Sequence, residues 1–254
     1  MVGLEERVAL VTGAGGGIGR GIAHRLASAG AAVAVNDALP DAAAAVAAEI
    51  GAAGGRAVAA PGSVAGAESA AAIVAAALEG LGPLDILVNN AGVTRDAWVH
   101  RMKDDEWQLV EDVVLNGTFC MCRAAASALG RSGPAYNRKI VNIASAAGVY
   151  GYAGTVNYSA AKAGVIGLTK ALAREWAGLH VNVNAVAPGL IVNTRITEGK
   201  PAELMAKIEA AIPLGRPGQP ADVAALVYFL ASSDADYVTG QVVEVHGGLE
   251  LLPL

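Results

Sequence analysis

The stretch Val11–Ala23, VTGAGGGIGRGIA, decides how the rest of the chain is read. Val8–Val11 leads into it as a β-type apolar run. Behind it, Ile18, Ile22 and Leu26 repeat at i, i+4 and i+8 and share one helix face. Gly13, Gly15, Gly17 and Gly19 fill the turn between, where the missing Cβ lets the backbone bend sharply and approach a ligand closely. The helix that follows presents open N–H groups and a positive dipole end to a pyrophosphate. The spacing Gly13-x3-Gly17-x-Gly19 is not the strict G-x-G-x-x-G, and flexible loops also collect glycine. Its place between strand and helix favours a nucleotide-binding turn.

Outward from this turn, apolar runs alternate with helical stretches to the end of the chain. Strands are predicted at Val8–Val11, Ala32–Asn36, Ala57–Ala60, Ile86–Asn89, Ile140–Ile143, Val181–Val186 and Val242–Val245. Their near-continuous apolar character fits a parallel sheet covered on both faces. The alternation predicts an α/β fold, a doubly wound, mainly parallel seven-stranded sheet. Asp41 is expected to cap the alanine-rich helix after the second strand, and Gly51 to end it. No linker divides residues 1–254, which read as a single dinucleotide-binding domain. Residues 193–220, with Gly199, Pro201, Pro213, Gly215, Pro217, Gly218 and Pro220, interrupt the last crossover and read as a lid-like insertion.

Composition narrows the functional classes. The 254 residues are 54% hydrophobic and 16% charged, enough for a substantial core. A net charge of −5 gives no reason to expect a nucleic-acid partner. An apolar run such as Ala70–Leu78 is far too short to span a bilayer. Glu5, Glu6 and Arg7 precede the first strand where a signal peptide would differ, so the expected location is the cytoplasm. Cys120 and Cys122, at i and i+2, read as small core residues, and His24, His100, His180 and His246 as surface or packing residues. No metal-ligand spacing surrounds them, and no metal is expected.

Three further groups carry chemistry. Asp37 follows the second strand, 18 residues after Gly19, where an acid accepts hydrogen bonds from an adenosine ribose and repels a 2′-phosphate. No Arg or Lys at 14–16 or 38–40 would welcome that phosphate, so the expected cofactor is NAD(H). Otherwise Asp37 merely begins a turn before Pro40. Ser145 follows a strand, at the sheet end where ligands bind. In NYSAAKAG, residues 157–164, Tyr158 and Lys162 lie one turn apart on the same helix face. A phenol titrates ordinarily near about 10, and a neighbouring cation lowers that value. The alternative is a chance pair on a solvated face.

Thr12–Gly19, the NNAG run Asn89–Gly92, Ser145, YSAAK at Tyr158–Lys162 and Pro188-Gly189 together resemble the short-chain dehydrogenase/reductase family. The resemblance covers nearly the whole chain. Within it, NNAGVTRDAWVHRMKDDEW and IPLGRPGQPADVAALVYFLASSDADYVTGQVVEVHGG are most similar to 3-oxoacyl-(acyl-carrier-protein) reductases. The resemblance implies a homotetrameric, nicotinamide-dependent enzyme. It implies Tyr158 as general acid/base, Lys162 lowering the Tyr158 pKa and holding the nicotinamide ribose, and Ser145 bonding the substrate oxygen. It implies cofactor contacts at Gly13, Gly17, Ile18 and Gly19, at Asp37, and at Ser63 and Val64. Further contacts are implied at Asn90, Ala91 and Gly92, at Pro188, Gly189 and Ile191, and at Asn193 and Thr194.

The chain departs from the family where a stretch V-N-L-x-G usually carries an active-site Asn. DVVLNGTF has Val114 there, and Asn116 two residues later, on roughly the opposite helix face unless the helix bulges. Ser63 replaces a frequent Asp, and Asn193 a frequent Thr; both still hydrogen-bond.

The expected reaction is interconversion of a ketone and a secondary alcohol by hydride transfer. The resemblance implies a 3-oxoacyl thioester substrate, with acyl carrier protein as a possible partner docking near Arg131 and Arg174, which are otherwise ordinary surface arginines. Trp98, Ala147, Val149, Tyr152 and Leu190 are candidates to line an apolar pocket. The alternatives are a general secondary-alcohol dehydrogenase and a non-catalytic nucleotide-binding subunit. A relative doing carbon–halogen chemistry is disfavoured because the glycine loop is kept.

Overall fold

Strands buried on both faces must be apolar along their whole length, and VALV, AVAV and ILVN each form one. The computed structural model describes residues 3–130, 137–198 and 201–249. The first half runs β1 (Val8–Val11), α1 (Gly17–Ser28), β2 (Ala32–Val35), α2 (Pro40–Ala52), β3 (Ala57–Ala59), α3 (Ala67–Leu81) and β4 (Ile86–Asn89). Next come α4 (Asp104–Glu111), a π-helical turn (Asp112–Asn116), α5 (Gly117–Leu129), β5 (Arg138–Ile143), α6 (Ala146–Tyr150) and α7 (Val156–Glu175). β6 (Val181–Pro188), α8 (Ala202–Ala210), α9 (Pro220–Ala231) and β7 (Val242–Val245) complete the order.

Among the described residues the seven strands form one parallel sheet in the order β3-β2-β1-β4-β5-β6-β7. The order reverses between β1 and β4, which pair directly through Ala9–Ile86, Leu10–Leu87 and Val11–Val88. Chain crossovers leave in opposite directions there and open a crevice at the carboxyl ends. One core layer packs Ile22, Leu26, Val223 and Val227 against one sheet face. The other packs Ile73, Met121, Leu129 and Ala173 against the opposite face. Each fully buried Leu or Ile in these layers contributes about 1.5–3 kcal/mol.

All seven expected strands are present, with β5 starting earlier, at Arg138, and β6 running on to Pro188. The helix after β2 differs from expectation at both ends. Pro40, not Asp41, opens α2, with Leu39 as its N-cap. Proline suits the first turn because its missing N–H would be unpaired there. Asp41 sits in the first turn, where it complements the helix dipole. Gly51 lies inside α2, and the left-handed residue beyond its end is Gly54.

The glycine turn after β1 depends on close contact. Gly13 adopts φ +61°, and a Cβ on Gly19 would lie 2.3 Å from the Gly13 oxygen and 2.5 Å from Asn90 Nδ2. Gly19→Ala must therefore push the turn off β4. We expect it to lower unfolding stability in urea by about 1–3 kcal/mol. An unchanged midpoint would mean that the turn yields without cost.

Candidate active site

The loops after β1 and β4 are clasped together. Thr12 Oγ1 accepts from the N–H groups of Asn90 and Ala91, both at 3.0 Å. In return Asn90 Nδ2 donates to the oxygens of Thr12 and Gly13, at 2.9 and 3.1 Å. The NNAG run therefore shapes the glycine turn from behind. At the front, Gly16 is the N-cap of α1 and no side chain caps the helix. That leaves the crevice lined by backbone and by a positive dipole end, which fits the pyrophosphate of a dinucleotide. Asp37 is fixed beside it, Oδ2 accepting from Gly15 N and Oδ1 from Leu39 N, each at 3.0 Å.

A cavity of about 870 Å³ runs from this turn to Ser145 and Tyr158. Gly13, Gly17, Ile18, Gly19, Asp37, Asn90 and Gly92 line it, as do Pro188, Gly189, Ile191 and Thr194. Four expected cofactor residues do not line it. Ser63 is exposed and accepts from Ala65 N, while Val64 is buried in the apolar core under α5. Ala91 packs into the same core layer. Asn193 takes a left-handed φ of 58° and donates to Gln219 Oε1, on the outside of the loop. Thr194, beside it, faces the cleft instead. Of the expected substrate wall, Trp98, Ala147, Tyr152 and Leu190 are present and Val149 is absent.

Ser145 is the N-cap of α6, its Oγ accepting from Ala147 N at 3.1 Å, and it also hydrogen-bonds Tyr158. Asn157, fully buried and unnoticed in the sequence, sets the start of α7. Its Oδ1 accepts from Tyr158 N, and its Nδ2 donates to the oxygens of Arg95 and Glu106. The helix then carries Lys162 to within 5.6 Å of the Tyr158 ring centre, on the same face.

The electrostatics differ from expectation. Burial pushes the Tyr158 phenol up to about 12; the Ser145 hydrogen bond acts against the rise and the Asp96 carboxylate adds to it. Lys162 is 3% exposed and donates to the Ile143 oxygen. Burial pushes its ammonium down to about 8. For Tyr158, desolvation is the largest influence. The Lys162 charge is spent on a strand-end carbonyl, and desolvation dominates both groups.

The family Asn position is settled by the backbone. A π-helical turn, common where helices serve functional sites, spans Asp112–Asn116. Even so, Asn116 stays exposed and donates to Asp112 Oδ1 at 2.9 Å. Val114 is the buried residue, its oxygen accepting from Thr118 Oγ1 at 2.7 Å. A Cβ on Gly92 would lie 3.8 Å from both Val114 Cγ2 and Lys162 Nζ. Val114 and Lys162 thus both face the Gly92 backbone, and the position where an amide was to be expected carries an apolar side chain.

Arg131 lies outside the described residues, and Arg174 is exposed in the last turn of α7. Among the described residues, no cluster of His, Cys, Asp and Glu could hold a metal ion. Cys120 and Cys122 are both buried and free. No helix of the described residues is long and apolar enough to cross a membrane.

A parallel sheet with a dinucleotide crevice at its switch point, and a Ser–Tyr–Lys set at the same end, defines a nucleotide-dependent oxidoreductase fold. Residues 13–250 match the family model described as "Enoyl-(Acyl carrier protein) reductase". The chain is 47% identical over 254 residues to a 3-oxoacyl-[acyl-carrier-protein] reductase of Synechocystis sp., covering 98% of this chain and 99% of that one. It is 47% identical over 169 residues to an acetoacetyl-CoA reductase of Rhizobium meliloti, covering 66% and 68%. A solved structure titled a putative short-chain alcohol dehydrogenase from Sinorhizobium meliloti 1021 superposes with a TM-score of 0.91 at 38% identity, covering 98% of both chains. The chain belongs to the short-chain dehydrogenase/reductase family and is an oxidoreductase that binds a nicotinamide dinucleotide.

Asn157→Ala leaves two carbonyls without their donor at the base of the Tyr158 helix. We expect a stability loss of about 2 kcal/mol in urea, together with a lower kcat at saturating cofactor. Unchanged kcat would show that α7 does not depend on Asn157 to present Tyr158.

Proposed function

We propose that the chain interconverts 3-oxoacyl and 3-hydroxyacyl thioesters with NAD(H), acting as a homotetramer. A nicotinamide held in the cleft supplies or accepts the hydride. Tyr158 donates the proton that the reduced oxygen needs, and Ser145 donates a second hydrogen bond to the same oxygen. Lys162 holds the nicotinamide ribose. In the reverse direction Tyr158 takes the alcohol proton only once it is itself ionised, a step its burial opposes, so oxidation is favoured by higher pH. The observation that carries the reading is the hydrogen-bonded Ser145–Tyr158 pair on the wall of the cavity that begins at the glycine turn.

The thioester assignment rests on shape and on the relatives' names. Trp98, Tyr152, Leu190 and Leu204 give the outer cavity an apolar wall open to solvent, suited to an acyl chain on a long arm. Of the expected insertion 193–220, residues 199–200 lie outside the described residues; α8, which brings Leu204, Lys207 and Ile208 to the cavity wall, acts as a lid over that mouth. Trp107, Leu109 and Phe119 stay exposed on α4 and α5, and subunit association covers such surfaces.

Acetoacetyl-CoA and its carrier-bound analogue should exceed a simple cyclic ketone in kcat/KM at matched NADH. A cyclic ketone ahead of both would favour a general secondary-alcohol dehydrogenase.

The fixed Asp37 carboxylate supports a preference for NADH over NADPH, since it accepts from a ribose and repels a phosphate. Asp37→Ala should erode that preference by about tenfold, roughly one charge-assisted hydrogen bond. A wild type with higher kcat/KM for NADPH would overturn it.

Tyr158→Phe should lose about 10²–10⁴ in kcat with cofactor affinity nearly intact, as removal of a general acid does. Because Lys162 gives up its proton near pH 8 in the cleft, kcat/KM for reduction should be level below that pH and fall above it. A profile level to pH 10 would show that the Lys162 charge is not needed.

A further inference from the structure

Asp37 does not face the cleft alone. Arg195, on the segment that follows β6, reaches back over the glycine turn. Its Nη1 lies 3.5 Å from Asp37 Oδ1. Its Nε and Nη2 lie 3.9 Å from where a Cβ on Gly16 would stand. The guanidinium therefore sits at the corner of the crevice where the adenosine ribose and its 2′ substituent must come. The two partners are unequal: the Arg195 side chain is 57% exposed and the Asp37 side chain 4%. Asp37 is pinned by two backbone N–H groups, whereas Arg195 has open space in which to turn.

We propose that Arg195 is a cofactor-selecting residue: it offsets the Asp37 charge and receives the 2′-phosphate of NADP(H). This rests on the reading of the chain as a nicotinamide-dependent reductase with Asp37 at the ribose. A 2′-phosphate beside a lone buried carboxylate meets like-charge repulsion. A guanidinium 3.5 Å from that carboxylate removes much of it and offers a planar fork of donors to the phosphate oxygens. Positions 14–16 and 38–40 are Ala, Gly, Gly, Ala, Leu and Pro, so local sequence supplies no such cation. Among the described residues, Arg20 is paired with Glu49 and Lys207 with Glu203. With NAD(H), the carboxylate keeps lone pairs for the ribose hydroxyls, and Arg195 only has to turn aside. The site then takes both cofactors, with Asp37 setting the preference and Arg195 limiting it.

The test is equilibrium binding, independent of turnover. Dissociation constants for NADH and NADPH are measured by calorimetry on the wild type, Arg195→Ala and Arg195→Lys. The fragments 5′-AMP and 2′,5′-ADP, which differ only in the 2′-phosphate, isolate the corner. Arg195→Ala should weaken NADPH and 2′,5′-ADP by about tenfold or more, and NADH and 5′-AMP by less than about threefold. Arg195→Lys, which keeps the charge but loses the fork, should fall between. Equal weakening of both dinucleotides would make Arg195 a pyrophosphate clamp or a lid strut and overturn the inference. No change in either would overturn it too. A wild type that binds NADPH no better than Arg195→Ala while binding NADH tightly overturns this inference and leaves the proposed function standing. A wild type that binds neither overturns both.

Discussion

The reciprocal hydrogen bonds between Thr12 and Asn90 are the constraint on which the rest of the site depends. They join the turn after β1 to the turn after β4 across the point where strand order reverses. Without them the crevice would have two independent loops for walls. With them, the Gly13 oxygen comes so near α1 that only glycine fits at position 19. The helix then begins where a pyrophosphate would meet its N-terminus, and Asp37 is drawn against Gly15. A run of glycine that looks flexible in sequence is thus a closely packed element, and its lack of side chains serves packing as much as ligand approach.

The second constraint is desolvation. Tyr158 and Lys162 are brought together by one helical turn, yet burial moves their pKa values apart, the phenol to about 12 and the ammonium to about 8. At neutral pH the phenol keeps its proton, which suits it to donate during ketone reduction. Lys162 finds a carbonyl, not a carboxylate, so no fixed anion holds its charge in place. Val114 adds an apolar side chain, buried near Gly92, where the family has an amide. The polarity of the site is therefore set more by what is excluded from it than by ion pairs within it.

Most of the fold was legible because its signals are local. Apolar runs in the sequence became the seven strands, and the Tyr158–Lys162 spacing placed both side chains on one face of α7. Local reading failed where the answer came from another part of the chain. Asn157 reads as an ordinary polar residue, and only the approach of Arg95 and Glu106 shows what it holds. Arg195 lies far from Asp37 in sequence, so the residues near the glycine turn and the end of β2 carry no sign of it. Of the expected pair Asn193 and Thr194, only Thr194 faces the cleft, because the left-handed backbone of Asn193 turns that residue outward. Leu39 and Pro40 displaced Asp41 from the start of α2 because proline is already suited to a first turn.

In the proposed reaction a hydride moves to a carbonyl carbon in this cleft while Tyr158 and Ser145 attend to the oxygen. The most direct measurement is label transfer. NADH carrying deuterium at C4 is incubated with the protein and a 3-oxoacyl thioester, and the product is read by mass spectrometry. The account predicts one deuterium at C3 of a 3-hydroxyacyl thioester, from NADH labelled on one face only. Tight NADH binding with no labelled alcohol from thioester or simple ketone would contradict it and leave a nucleotide-binding protein without this chemistry.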